Sequence, residues 1–312
     1  MSRLLKPQEE KSNMIRMPKQ RIKAMLSRAV SGVMREHEEA SRLEAKTSVA
    51  LKVAQRHLFN YYQQTALQGM RWRLSDMGFR VFSQFEEDGI LLYIFAVIGT
   101  HNRTFVDIGS ADGINSNCAN LLVSFGWNGL FIDGSEQNIA RGKAYYEKHP
   151  DTWAYPPRFV QAFVQRENIN SIIQEAGFSG IVDLVSIDID GNDFWVWDAL
   201  NVIDPRVVII ETHTEFGMHS VVVPYDKDYS YPGRHPDYHG ASPVAMAKLA
   251  NKKGYRLVGS NSYGFNTIYV KRGIGEDMLP EVTVESILAH PRNAERYKLF
   301  EPIKDWKYIE VK

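Results

Sequence analysis

The residues of this 312-residue chain that could do chemistry fall into a few short segments. FVDIGSADG (105–113) closes a β-branched and aromatic run with Asp107, then sets Gly109, Ala111 and Gly113 at alternate positions. Small residues at a strand-to-helix turn remove Cβ clashes, permit positive φ and leave backbone N–H groups free for a ligand. Ser110 lies in that turn, and Asn117 opens the next helix. The spacing is not G-x-G-x-x-G and no Walker lysine is present, so neither a dinucleotide fingerprint nor a P-loop is the best match. About 20 residues on, at the separation such a unit needs, a second strand-like run ends in Asp133-Gly134. A carboxylate there can accept hydrogen bonds from the diol of a nucleoside ribose.

LVSIDIDGND (184–193) breaks an apolar run with Asp188 and Asp190. A parallel strand buried on both faces should be nearly continuous Val, Ile and Leu. Period two puts the two carboxylates on one face at the carboxyl end, where they must meet a ligand, a cation or donor groups. Asp193 stands at the start of the next helix, as a capping residue would. IIETHTEFG (209–217) brings Glu211 and His213 to a common face beside that strand. Asp190, Glu211 and His213 would suit a divalent cation with oxygen ligands and one imidazole. They would equally suit a general base, His213 or Asp190, oriented by its neighbours. Both readings stay open at this point.

The elements that must position these groups alternate. Strand-like runs cover 104–108, 129–133, 158–164, 182–189, 207–211, 255–259 and 267–271, with helical stretches at 115–125, 137–148, 169–176, 194–200 and 243–253. Helices between the first five strands imply βαβ crossovers and a parallel sheet. The last two strands, joined by SNSYGFN, read as an antiparallel hairpin at one edge. The third strand would deliver Phe163 to the ligand edge as an apolar wall. The connection VVVPYDKDYSYPGRHPDYHGAS (221–242) is long enough to be a lid. Its Tyr225, Tyr229, Tyr231, His235 and Tyr238 can stack on planar or sugar rings, Arg234 can pair with an anion, and His239 is a further base candidate.

Residues 1–75 read as a helical extension, with apolar stripes at Met25, Leu26, Ala29, Val30 and Val33 and again at Ala50, Val53, Ala54, Leu58, Tyr61 and Tyr62. The first stripe is basic: it suits an anionic membrane surface or an acidic partner, or an arm packing on its own core or a second subunit of a homo-oligomer. Residues 76–275 form the α/β domain and 276–312 a tail that packs on it. With 37 basic and 37 acidic residues the chain has no global field arguing for nucleic acid. One cysteine excludes an intramolecular disulfide and a multi-cysteine zinc site, and suits a cytoplasm. No apolar run of membrane-spanning length and no signal-peptide core is present. The expected location is therefore cytoplasmic, with the inner face of a membrane open to the basic helix.

SQFEEDGIL (83–91), FVDIGSADGINSN (105–117), GWNGLFIDGS (126–135), LVSIDIDGND (184–193), RVVIIE (206–211), HGAS (239–242) and KKGYRLVG (252–259) together resemble the FkbM-type family of S-adenosylmethionine (SAM) dependent methyltransferases. The resemblance covers roughly residues 82–272. It implies a class I, Rossmann-like sheet, mostly parallel with a C-terminal antiparallel hairpin, and SAM as the cofactor. It also implies O-methylation of a small-molecule or glycan acceptor, often a sugar hydroxyl. By the family pattern Asp107, Gly109 and Gly113 shape the cofactor turn, Asp133 holds the ribose and Asp188 lies near the methionine end. Gln84, Glu87 and Asp88 would border the cofactor mouth. Asp107, Gly109, Ser110, Gly113, Asn117, Asp133, Gly134, Phe163 and Asp188 make the expected cofactor set. Asp190, His213 and His239 make the catalytic set, and Tyr231, Arg234 and Tyr238 the acceptor set. Many family members carry E-G-x-E where this chain has DIDGND, and His213-Thr214-Glu215 replaces a commoner Asn-containing sequence.

Overall fold

A computed structural model describes residues 48–312. The chain divides after Ser48, and residues 49–312 make up a compact second unit. The basic stripe at 25–33 lies outside the described residues.

The second unit is a mixed α/β fold around a seven-stranded sheet. Its strands are β1 (Thr104–Ile108), β2 (Asn128–Asp133), β3 (Arg158–Gln161), β4 (Gly180–Ile187), β5 (Ile203–Glu211), β7 (Tyr255–Ser260) and β8 (Asn266–Lys271). They lie in the order β3-β2-β1-β4-β5-β8-β7. The first five run parallel, and β8 and β7 close the sheet as an antiparallel pair. This is the expected Rossmann-like sheet with its C-terminal hairpin. The central strands are largely apolar because both faces are covered: Val106 and Ile108 face one buried cluster, Phe105 the other. Crossover helices are α3 (Ala119–Phe125), α4 (Glu136–Tyr146), α5 (Ile169–Glu175), α6 (Asp193–Ala199) and α7 (Pro243–Lys252). The α7 helix starts on a Ser242 cap with proline at its first position, a favourable N-terminus.

Two helices precede the sheet, α1 (Val49–Leu67) and α2 (Glu87–Ile98). The α2 helix, EDGILLYIFAVI, is buried on nearly every side, so its sequence lacks the polar stripe that marks a surface helix. The α1 helix packs on it through Tyr62 and Tyr93, whose rings meet edge to face at 5.1 Å. The third strand stops at Gln161, three residues short of the expected end, and Ala162 leaves the strand while its N–H still bonds the Asp133 carbonyl. The tail beyond 275 adds short helical turns and β9 (Ile309–Glu310), which pairs antiparallel with β6 (Val221–Val222). Among the described residues no helix is long and apolar enough to cross a membrane.

Register decides what meets at the carboxyl edge. Ile108 pairs with both Ile132 and Ile187, and Ile187 pairs with Ile210. The next residue of each strand therefore stands in one row: Gly109, Asp133, Asp188 and Glu211. The row straddles β1, where the strand order reverses, the usual ligand crevice of an open α/β sheet.

Candidate active site

Above that row lies a cleft of about 710 Å³, within the span of small-molecule sites. One side is Gly109, Ala111, Asp133, Gly134 and Phe163; the other is Asp188, Asp190, Glu211, Tyr229 and Tyr231, with Gln84 at the mouth. Asp133 Oδ2 accepts from the Ala111 N–H at 2.9 Å, and Oδ1 accepts from the Ser135 N–H (2.8 Å) and Asn138 Nδ2 (3.1 Å). A carboxylate has about four acceptor positions, so one remains for a ligand unless the Asn138 amide yields. Asn138, in the first turn of α4, also lines the cleft and was not singled out from the sequence. Phe163 is 54% exposed beside Gly134, an uncovered aromatic face on the cleft wall.

The turn after β1 works differently from the sequence expectation. Gly109 and Ser110 donate their N–H groups to the Ile132 carbonyl, and Ala111 donates to Asp133, so all three are used internally. Gly109 (φ +84°) is required by β4: a Cβ there would sit 1.6 Å from the Asp188 carbonyl oxygen. Asp107, Ser110, Gly113 and Asn117 do not line the cleft. Asp107 is buried, accepts from Ser116 Oγ, and is pushed up to about 6 by burial against the opposing pull of the Ser116 and Ser186 hydroxyls. Gly113 abuts the Phe131 ring and the Asn117 amide reaches Ser186 Oγ. Glu87 and Asp88 are likewise buried and structural: Asp88 accepts from the N–H groups of Val81, Phe82 and Ser83, and Glu87 from Asn261 and Asn266.

Opposite Asp133 lies an acidic cluster. Oxygens of Asp188, Asp190 and Glu211 lie within 4.8 Å of one another. Burial and the charges of Asp193, Asp190 and Asp107 push Asp188 up to about 8, while a hydrogen bond with Glu211 opposes the rise. Burial, then the Asp188 charge, holds Glu211 well above the usual carboxylate range. Like charges this close cannot both ionise, so the Asp188–Glu211 pair retains a proton near neutral pH. Asp193 is the structural member, accepting from the N–H groups of Ile189 and Gly191. Asp190 is exposed and takes φ +54°, a left-handed conformation that aspartate tolerates better than most residues.

His213 and His239 stand behind Glu211, outside the cleft lining, with ring centroids 4.1 Å apart. The main chain of His213 is fixed by its N–H to the Ala241 carbonyl at 2.8 Å. Burial, with His239 and Arg296 nearby, pulls its pKa well below the ordinary value, so the ring is neutral. Its Nε2 lies 3.9 Å from Glu211 Oε2, and neither atom has a hydrogen-bond partner among the described residues.

Tyr229 stands out from the other rings of the 221–242 connection only in three dimensions. A Cβ on Gly191 would lie 2.4 Å from its ring, and one on Gly233 2.6 Å from the opposite edge. Two glycines 42 positions apart thus form a slot holding the ring over the acids, stacked on His239 at 6.1 Å. Its hydroxyl is buried without a partner among the described residues, and burial with the Asp190 charge pushes it above the ordinary range. Tyr231 lines the cleft and is 54% exposed. Arg234 and Tyr238 turn instead to the C-terminal segment: the guanidinium lies over Trp306, and the Tyr238 hydroxyl donates to the Lys307 carbonyl while its ring packs on Trp306 and Tyr308. Sequence position alone put them near the acceptor; aromatic partners 68 or more residues downstream draw them away.

No protein-family model and no curated protein matches the chain. Solved structures do. The methyltransferase domain of bacterial CtHen1 is 15% identical over 59% of this chain and 96% of that one, with a TM-score of 0.39. An O-methyltransferase from Bacillus cereus in complex with S-adenosylhomocysteine (SAH) is 14% identical over 68% and 91%, with a TM-score of 0.39. An S-adenosylmethionine-dependent methyltransferase from Clostridium acetobutylicum is 10% identical over 59% and 89%, with a TM-score of 0.38. These are distant likenesses, and the functional reading rests on the chain's own residues.

Proposed function

We propose that the protein is a SAM-dependent O-methyltransferase of the FkbM type, acting on a hydroxyl of a saccharide, glycan or related natural product. The observation that carries the reading is the cleft at the carboxyl edge: Asp133 and the uncovered Phe163 face on one side, the carboxylates of Asp188, Asp190 and Glu211 on the other. The first pair suits a ribose and an adenine. The second gives the negative surroundings that a sulfonium requires, and Glu211 Oε2 is a buried acceptor without a partner among the described residues. When bound, SAM supplies an electrophilic methyl group, so the chain's task is chiefly alignment.

Asp133 takes the sugar hydroxyls, and Tyr231 and Tyr229 cover the acceptor side. Asp190, exposed at the cleft, takes the acceptor proton directly; His213 reaches it only through Glu211. Incubation with methyl-labelled SAM and a panel of saccharides and lipid-linked glycans tests the reading. Label transfer that is lost in Asp190→Asn and Glu211→Gln supports it. Absence of transfer to any hydroxyl acceptor by a protein that binds SAM would refute the acceptor class.

A second reading is favoured by the three-carboxylate cluster: a divalent cation held there would lower the acceptor hydroxyl's pKa. Exhaustive chelation separates the two, since activity that survives it removes the cation.

A further inference from the structure

We propose that the protein holds a second small-molecule site, apart from the cleft, whose ligand is an anionic amphiphile: an apolar chain or ring system ending in a phosphate or carboxylate. The site is a cavity of about 760 Å³ beside the edge strand β7, between the segment that follows α1 and the C-terminal tail. It shares no lining residue with the cleft, so the proposal does not depend on the methyltransferase reading.

Both walls are fixed to the core. On one side the Trp72 N–H donates to the Tyr93 hydroxyl at 3.2 Å. Leu74 fills the space that Gly259 leaves open, since a Cβ there would lie 2.7 Å from Leu74 Cδ2. On the other side Val282 donates its N–H to the Leu257 carbonyl at 2.9 Å, and the buried Arg256 guanidinium donates twice to the Leu279 carbonyl, at 3.1 and 3.2 Å. The floor between them is apolar: Val258, Leu279 and Ile287 line it and are buried. A preformed, largely apolar chamber of this size with a few polar groups is what small-molecule sites look like.

Charge at the rim decides the class of ligand. Arg71 and Arg73 line the cavity, are exposed, and form no ion pair with a described residue. None of the lining residues is acidic. His290 lines it too, and its Nδ1 accepts the Arg292 N–H at 3.2 Å, so the neutral ring carries its proton on Nε2 as a further donor. Guanidinium groups pair with carboxylate or phosphate through parallel N–H donors, and the floor gains by covering an apolar body. An uncharged lipid would leave the arginines unused, and a cationic one would be repelled by them.

The test titrates the full-length protein calorimetrically with decyl phosphate, decanoate, decanol, decyltrimethylammonium and inorganic phosphate, each below micelle formation. Decyl phosphate and decanoate should bind in a one-to-one complex. Decanol should bind about 10–100-fold more weakly, the range for losing charge-assisted hydrogen bonds, and decyltrimethylammonium and inorganic phosphate should not bind detectably. Arg71→Gln combined with Arg73→Gln should bring decyl phosphate down to the affinity of decanol and leave decanol unmoved. Ala289→Trp, which fills the cavity from its exposed rim, should abolish both. All three positions are exposed, so thermal denaturation of the variants should match that of the native chain. Decanol or the ammonium amphiphile binding as tightly as decyl phosphate overturns the inference. So does comparable binding of inorganic phosphate alone, a decyl phosphate affinity unmoved in the double variant, or no binding of either anionic amphiphile. SAM binding measured on the same samples decides the methyltransferase reading separately.

Discussion

Gly191→Ala is the sharpest steric probe of how the 221–242 connection holds Tyr229. The added methyl would lie 2.4 Å from the Tyr229 ring, where ordinary contact begins at 3.4 Å, so the ring must withdraw by about 1 Å. Gly191 does not occupy the left-handed region, so the backbone tolerates alanine and the cost is confined to the contact. Overpacking of this kind costs about 1–3 kcal/mol. Unfolding entropy of about 2.1 cal/mol/K per residue, over the described residues, turns that into a fall in Tm of roughly 2–5 °C. Because the nearest atoms to the added methyl all belong to Tyr229, the cost should vanish once the ring is removed. A double-mutant cycle with Tyr229→Ala, read by thermal denaturation, should therefore give a coupling of about 1–3 kcal/mol. SAM binding on the Asp133 side should stay unchanged. Additive losses, with Gly191→Ala as costly in the Tyr229→Ala background as in the native chain, would refute the slot.

Asp133→Ala should weaken SAM by about 10–100-fold, as expected for loss of a charge-assisted hydrogen bond of about 1.5–3 kcal/mol, in a calorimetric titration; unchanged affinity would dismiss the ribose assignment. Stability should fall with rising pH. Asp107 and Asp188 have an ordinary value of 3.8 but stand at about 6 and about 8 when folded. The folded state thus holds protons that the unfolded state has released, and the contribution, complete below pH 4, is lost as pH rises toward 8. Metal-free protein should melt higher at about pH 5 than at about pH 8, and a rise over that interval would contradict the buried-acid geometry. Trp306→Ala should free Arg234, His235 and Tyr238 and speed proteolysis within 225–239, seen by limited digestion and mass spectrometry, whereas an unchanged cleavage pattern would mean the tail does not restrain the lid.

The sheet is readable because a strand buried on both faces must carry a largely apolar run, and β1, β2, β4 and β5 do, with Asp107, Asp183 and Arg206 as polar interruptions. Position on the sheet then comes from crossover rules, and so does the edge at which Gly109, Asp133, Asp188 and Glu211 meet. The α2 helix escaped the same reading for a related reason: buried on nearly all sides, it has no polar face to generate a period of 3.6. β6 and β9, two residues each, are too short for any period. Side-chain direction was the other limit. Whether Arg234 faces the cleft or Trp306 depends on rings far along the chain, and the roles of Gly191, Gly233 and Gly240 are contacts with side chains remote in sequence. Glycine spacing at the β1 turn suggested free N–H donors, but the neighbouring strand had already claimed them.

Calorimetric titration of the native chain with SAM and SAH tests the central proposal most directly. Both should bind in a one-to-one complex with micromolar or tighter affinity, and SAH bound in a crystal should contact Asp133 and Phe163. No heat of binding for either at millimolar concentration, or SAH seated anywhere but the cleft between Asp133 and Glu211, would contradict it.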